Sequence, residues 1–83
     1  MKAEISVYPN PATTATGATL DLTSLPAGTY QVQLLDMSGR TLDSYRLNGG
    51  RTHRLNVQTL PTGAYVVRVV GQELRLSGRL VKE

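Results

Sequence analysis

Few residues in this chain of 83 could carry chemistry. His53 is the sole histidine, and there is no cysteine. One imidazole works as a base only beside a nucleophile or acid, and a zinc site needs several nitrogen or sulfur ligands. His53 falls on the same strand phase as Leu55 and Val57, so the reading favoured is a partly buried structural histidine. Asp21, Asp36 and Asp43 are spread over separate turns and strands, the wrong distribution for a cation cage. The serines have no neighbouring base and no nucleophile elbow. Neither an enzyme nor a cofactor is expected.

Charge offers a second route to function. The formal net charge is +3, carried mostly by Arg40, Arg46, Arg51, Arg54, Arg68, Arg75 and Arg79. No two of these are adjacent, acids are interspersed, and no signature of an RNA-binding or oligonucleotide-binding fold accompanies them. Arg51, His53 and Arg54 form the densest group and read as a solvated strand surface, so no nucleic-acid partner is expected. The most apolar stretch, Tyr65 to Val70, is short and broken by Arg68, which excludes a membrane span. Lys2, Glu4 and Pro9 leave no apolar run for a signal peptide. Residues 1–4 read as a linker remnant, and an export signal would lie elsewhere in a longer parent chain.

What must position these residues is an all-β domain. Hydrophobic content of 40% with only 18% charged residues is too apolar for a disordered tail. Alternation of period two recurs almost throughout, with no helical period. Ile5 and Val7 mark a first strand that should end at Pro9-Asn10-Pro11, where proline removes ladder donors. Ala18, Leu20 and Leu22 mark a second strand; Tyr30, Val32 and Leu34 mark a third. Asp36-Met37-Ser38-Gly39-Arg40 reads as a tight hairpin turn, with an aspartate to accept turn amides and a glycine for positive φ. Thr41 to Asn48 changes phase between Leu42 and Tyr45, which predicts a bulge near Asp43-Ser44 on an edge strand. Gly49-Gly50 signals a two-residue hairpin. His53, Leu55 and Val57 give a fifth strand, Tyr65, Val67 and Val69 a sixth, and Leu74, Leu76 and Leu80 the last. Short strands with turn signals ~8–12 residues apart predict an immunoglobulin-like antiparallel β-sandwich of about seven strands. Its expected core is Leu20, Leu22, Val32, Leu34, Leu55, Val67, Val69 and Leu76.

Leu25-Pro26-Ala27-Gly28-Thr29-Tyr30 is echoed by Leu60-Pro61-Thr62-Gly63-Ala64-Tyr65. Two copies are too few for a solenoid. Both segments read as the same corner, in which a tyrosine plugs the end of the core and keeps its hydroxyl at the wet edge. Neither copy obeys the Leu-Pro-x-Thr-Gly order of the Gram-positive sortase signal.

Four segments in sequence order carry a family resemblance. They are Val7-Tyr8-Pro9-Asn10-Pro11, Asp36 to Arg40 with Gly39, Leu60-Pro61-Thr62-Gly63-Ala64-Tyr65, and Arg79-Leu80-Val81-Lys82. Together they resemble the carboxyl-terminal sorting domain, type A, of the type IX (Por) secretion system, over Ile5 to Lys82. Where family members often end in Lys-x-x-Lys, Arg79 stands in for the first lysine and Glu83 extends past Lys82. The resemblance implies a non-catalytic label on an amino-terminal cargo domain in Bacteroidetes-type bacteria. It implies passage through the periplasm, recognition by the outer-membrane translocon, and cleavage upstream of Ile5 by a sortase-like peptidase at the cell surface.

Recognition candidates under this reading are Pro9, Asn10, Pro11, Asp36, Gly39, Arg40, Leu60, Pro61, Gly63, Tyr65, Arg79, Leu80, Val81 and Lys82. The last strand is the favoured one, as an exposed edge with a basic tip that could add to a partner's sheet. The alternative function is an accessory binding module for carbohydrate or adhesion, or a spacer. A binding module would need an aromatic platform, for which only Tyr8 and Tyr45 are free.

Overall fold

The computed structural model describes residues 4–83; most of the proposed linker and cleavage segment, Met1 to Ala3, lies outside them. Seven strands follow the alternation: β1 (Ser6–Thr13), β2 (Gly17–Asp21), β3 (Thr29–Asp36), β4 (Thr41–Asn48), β5 (Thr52–Leu55), β6 (Gly63–Val70) and β7 (Arg75–Lys82). The all-β class is as expected. The arrangement differs from two separate antiparallel sheets, because the strands form one hydrogen-bonded sheet in the order β4-β3-β6-β7-β1-β2-β5. It is mixed, since β1 runs parallel to β7 at Ala12 and Lys82.

A short connection forces this sheet to curl. The edges β4 and β5 are joined by only Gly49 to Arg51. The Cα steps from Asn48 to Thr52 reach at most ~15 Å. A flat sheet of this order would hold its edges ~29 Å apart at ~4.8 Å per strand spacing. The two halves therefore share one core, in which Val7, Ala18, Leu20 and Leu55 join Val32, Leu34, Val67, Val69 and Leu80. Every residue of the expected core is buried except Leu76, which is only half-buried against it.

Four local expectations need correction. β1 does not stop at Pro9 but continues to Thr13, with both prolines on cis peptide bonds. Its ladder to β2 is interrupted between Tyr8 and Thr13, so the missing proline donors fall where no ladder bond is asked of them. Gly49-Gly50 makes no hairpin, because β4 pairs with β3 whereas β5 pairs with β2. Gly49 instead passes so close to Pro26 and Tyr30 that a β-carbon would collide with the Pro26 carbonyl oxygen. The bulge in β4 falls at Leu42, left unopposed between the pairs Leu34–Asp43 and Leu35–Thr41. Finally, β7 is an interior strand between β6 and β1; the edges are β4 and β5. Edge position depends on non-local pairing, which alternation cannot report.

Candidate recognition site

The Pro9-Asn10-Pro11 segment places one amide side chain against the last strand. Asn10 Nδ2 donates to the Arg79 carbonyl at 2.9 Å, and Asn10 Oδ1 accepts from the Val81 amide at 2.9 Å. These bonds stand in for a backbone ladder where two prolines cannot provide one. One residue further, the Glu83 amide donates to the Ala12 carbonyl at 2.8 Å. The end of the chain is thus sewn to its beginning.

Lys82 overturns the expectation of a basic exposed tip. It is 4% exposed, and Nζ donates to the carbonyls of Val57 at 2.9 Å and Leu60 at 3.0 Å. Its neighbour Leu80 is buried in the core, as expected. Of the terminal quartet Arg79 alone is exposed, while Val81 is half-buried. A lysine is rarely buried without partners for its ammonium, so Lys82 serves as a strut that holds the segment from Val57 to Leu60.

The turn from Asp36 to Arg40 is organised by one carboxylate. Asp36 Oδ1 accepts from the Ser38 hydroxyl at 2.6 Å, the Ser38 amide at 3.0 Å and the Arg40 amide at 3.0 Å. Arg40 Nε reaches Oδ2 at 3.2 Å. The Ser38 hydroxyl above all, with the Arg40 amide, holds the Asp36 carboxyl down to about 2. Gly39 sits at φ 92°, the region a β-carbon resists. The architectural reading of this turn therefore accounts for Asp36 and Gly39, and leaves Met37, Ser38 and Arg40 exposed on its outside.

The two echoed corners use one device. Tyr30 donates its hydroxyl to the Pro26 carbonyl at 2.9 Å, and Tyr65 donates to that of Pro61. Both rings are buried, and each hydroxyl finds its partner in the chain itself. His53 is half-buried, with Nε2 donating to the Asn48 carbonyl at 2.7 Å, which fits a structural role.

Pairing then brings these distant segments together. Asp36 lies opposite Tyr65, Tyr65 opposite Leu80, and Gly63 opposite Lys82. Ala12, just past Pro11, also meets Lys82. The turn after Asp36, the corner before Gly63, the Pro-Asn-Pro segment and the chain end thus occupy one end of the sheet. Pro9, Asn10, Pro11, Pro61 and Arg79 are exposed there beside the Asp36 to Arg40 turn. Met37, 61% exposed, adds an apolar tip. The sequence shows all four segments but not their convergence, and it offers no sign that Lys82 is internal.

A family model for the secretion system C-terminal sorting domain matches residues 6–83. The chain belongs to this family. It is a type IX sorting signal, the kind of domain that directs export to the cell surface or extracellular space. Among curated proteins no match is found. For the sorting domain, the convergent end is the natural place to look for what a receptor reads. Among the described residues there is no group of three or more His, Asp or Glu fit to hold a metal ion, and no helix long and apolar enough to cross a membrane.

Proposed function

We propose that this sorting domain is a non-catalytic delivery label whose convergent end is read by the outer-membrane translocon. The single observation that carries this is the gathering of four segments, separated by most of the chain, onto one end of the sheet. A receptor that serves many cargoes needs a surface independent of the cargo and fixed before contact. The carboxylate-tied turn, the Asn10 clamp and the tyrosine corners provide such a surface with little ordering entropy left to lose. In this reading the cargo lies amino-terminal in the parent chain. The domain passes through the periplasm folded, and a sortase-like peptidase cuts upstream of Ile5. Pro9, Pro11, Gly39, Arg40, Pro61 and Arg79 contribute the surface. Asn10, Asp36, Leu60, Gly63, Tyr65, Leu80, Val81 and Lys82 hold its shape.

The test is transfer of function. Fused behind a reporter with its own inner-membrane export signal, in a host that has the type IX machinery, residues 1–83 should carry the reporter to the surface or medium. A stable fusion that stays in the periplasm would instead support a spacer or binding module. No platform favours the binding module: Tyr8 is exposed on β1, whereas Tyr45 is half-buried on β4 with its hydroxyl on Asp43.

A further inference from the structure

One face of the sheet carries charge that the fold does not use. Across β4, β3, β6 and β7, one phase of side chains is the core: Val32, Leu34, Val67, Val69 and Leu80. The opposite phase is read from the register. Arg46, Gln31, Val70 and Arg75 form one cross-strand row, and Ser44, Gln33, Arg68 and Ser77 the next. Leu35, Val66 and Arg79 form a third. Arg46, Arg68, Arg75 and Arg79 are all exposed on this face. Arg68 lies diagonal to both Arg75 and Arg79, at the ~7–8 Å typical of such neighbours.

None of the chain's acids shares these rows; they are Glu4, Asp21, Asp36, Asp43, Glu73 and Glu83. Asp43 points to the other phase with Tyr45, and Asp36 is engaged in its turn. Among the described residues the one ion pair is Arg40 with Asp36, so the four arginines have no carboxylate of their own. Like charges set diagonally repel, and among the described residues no ion pair offsets that repulsion. A shallow groove of about 470 Å³ lies beside Arg68 and Arg75, lined also by Gln33, Val70, Leu76 and Ser77.

We infer that this face docks a carboxylate-rich surface of a protein partner. Guanidinium forks match carboxylates in a bidentate fashion, and Gln31, Gln33, Ser44 and Ser77 supply further donors between them. Half-buried Val66 and Val70 add apolar area among the charges, a mixture suited to protein interfaces. The face has no aromatic side chain on which a nucleobase could stack: Tyr30, Tyr45 and Tyr65 lie on the core phase and Tyr8 lies on β1. Arg79 belongs to both this face and the convergent end, so the two surfaces are continuous. The partner's place in secretion rests on the sorting function proposed above; the chemistry of the face does not.

The experiment has two arms. In the first, a short oligoglutamate peptide is titrated into the isotopically labelled 83-residue chain at low salt. Amide shifts should concentrate at Gln31, Gln33, Arg68, Arg75 and Ser77, and fade as salt rises. The Arg46→Gln, Arg68→Gln, Arg75→Gln, Arg79→Gln variant should bind roughly tenfold more weakly or worse. Arg68→Gln alone should show part of that loss, which keeps the test usable if the fourfold variant folds poorly. Arg51→Gln, Arg54→Gln, just before and within β5, should bind as the parent does. Equal loss in that control, or shifts spread evenly over the chain, would overturn the inference. So would tighter binding of a short oligothymidylate or of heparin to the same face. In the second arm the Arg46→Gln, Arg68→Gln, Arg75→Gln variant, which leaves Arg79 of the convergent end intact, is placed in the reporter fusion. Delivery of the parent with retention of the folded variant supports the inference; equal delivery of both overturns it and leaves the sorting function standing. Retention of the parent itself would sink the sorting function, and the peptide titration then judges the face alone.

Discussion

Lys82 has no carboxylate beside it, yet it lies deeper than any other charged side chain among the described residues. What it has is two carbonyls outside the sheet: that of Val57, which also accepts the Leu60 amide, and that of Leu60. Lys82→Met keeps the apolar stem and orphans the Leu60 carbonyl, while that of Val57 keeps the Leu60 amide, so chemical denaturation should show a loss of about 1–3 kcal/mol. Lys82→Glu sets a carboxylate against the same oxygens and should leave little folded protein. Arg79→Glu, in the same strand but exposed, should change stability by less than ~0.5 kcal/mol. Sequence reading treated the pair alike because lysine is almost always at the surface, a rule about residue type that carries no knowledge of the acceptors. Asp36 was legible for the opposite reason: its partners, Ser38 and Arg40, are local, and a turn aspartate acts on the next few amides. Its carboxyl lies at about 2 in the fold against 3.8 ordinarily. A depressed value means the contribution is fully present above roughly 4 and is lost as the pH falls through about 2. Carbon-detected NMR should place the Asp36 midpoint at about 2, with the Ser38 and Arg40 amides moving in step. A midpoint near 4 would mean that those bonds are absent in solution.

Alternation made the strands that line the core readable, but not which strand lies beside which. Tyr30, Val32 and Leu34 alternate cleanly in β3, and Val67 and Val69 do so in β6, because both strands lie against the shared core. The Pro9-Asn10-Pro11 segment misled, since proline denies the ladder donors that strand reasoning looks for. Here Asn10 supplies both arms of the missing bonds from its side chain. Asn10→Ala should therefore cost about 1–3 kcal/mol and speed hydrogen exchange at the Val81 amide. Asn10→Asp keeps the acceptor for Val81 but loses the donor to Arg79, and should fall between parent and alanine. Unchanged exchange at Val81 in Asn10→Ala would show that β1 and β7 hold together without the clamp. Gly49-Gly50 misled in another way. Gly49 is needed for a close crossing beneath Pro26 and Tyr30, and Gly50 for its positive φ, rather than either for a hairpin; only the fold shows what Gly49 must pass.

At the scale of the whole molecule, the first and last strands close the sheet. β1 bridges the two halves, with β2 on one side and β7 on the other. β7 supplies buried Leu80, both partners of Asn10, the Lys82 strut and the final bond from Glu83 to Ala12. Deleting Leu80 to Glu83 removes all of these at once except the Arg79 partner of Asn10. The loss of Leu80 alone is of the size of a core leucine truncation, ~2–5 kcal/mol, against a total of roughly 4–12 kcal/mol for a chain of this length. The truncated domain should therefore lack a cooperative thermal transition and give collapsed amide dispersion. A reporter carrying it should fail to reach the surface for want of a folded label, whatever the translocon reads. Arg79→Glu separates the two causes, because it alters the exposed end while the parent's thermal transition should persist. If truncation abolishes delivery and the folded Arg79→Glu fusion is delivered more slowly, the chain end acts through the fold and Arg79 through contact. A truncated domain that still melts cooperatively, yet is not delivered, would reverse that assignment and make the last four residues the part that is read.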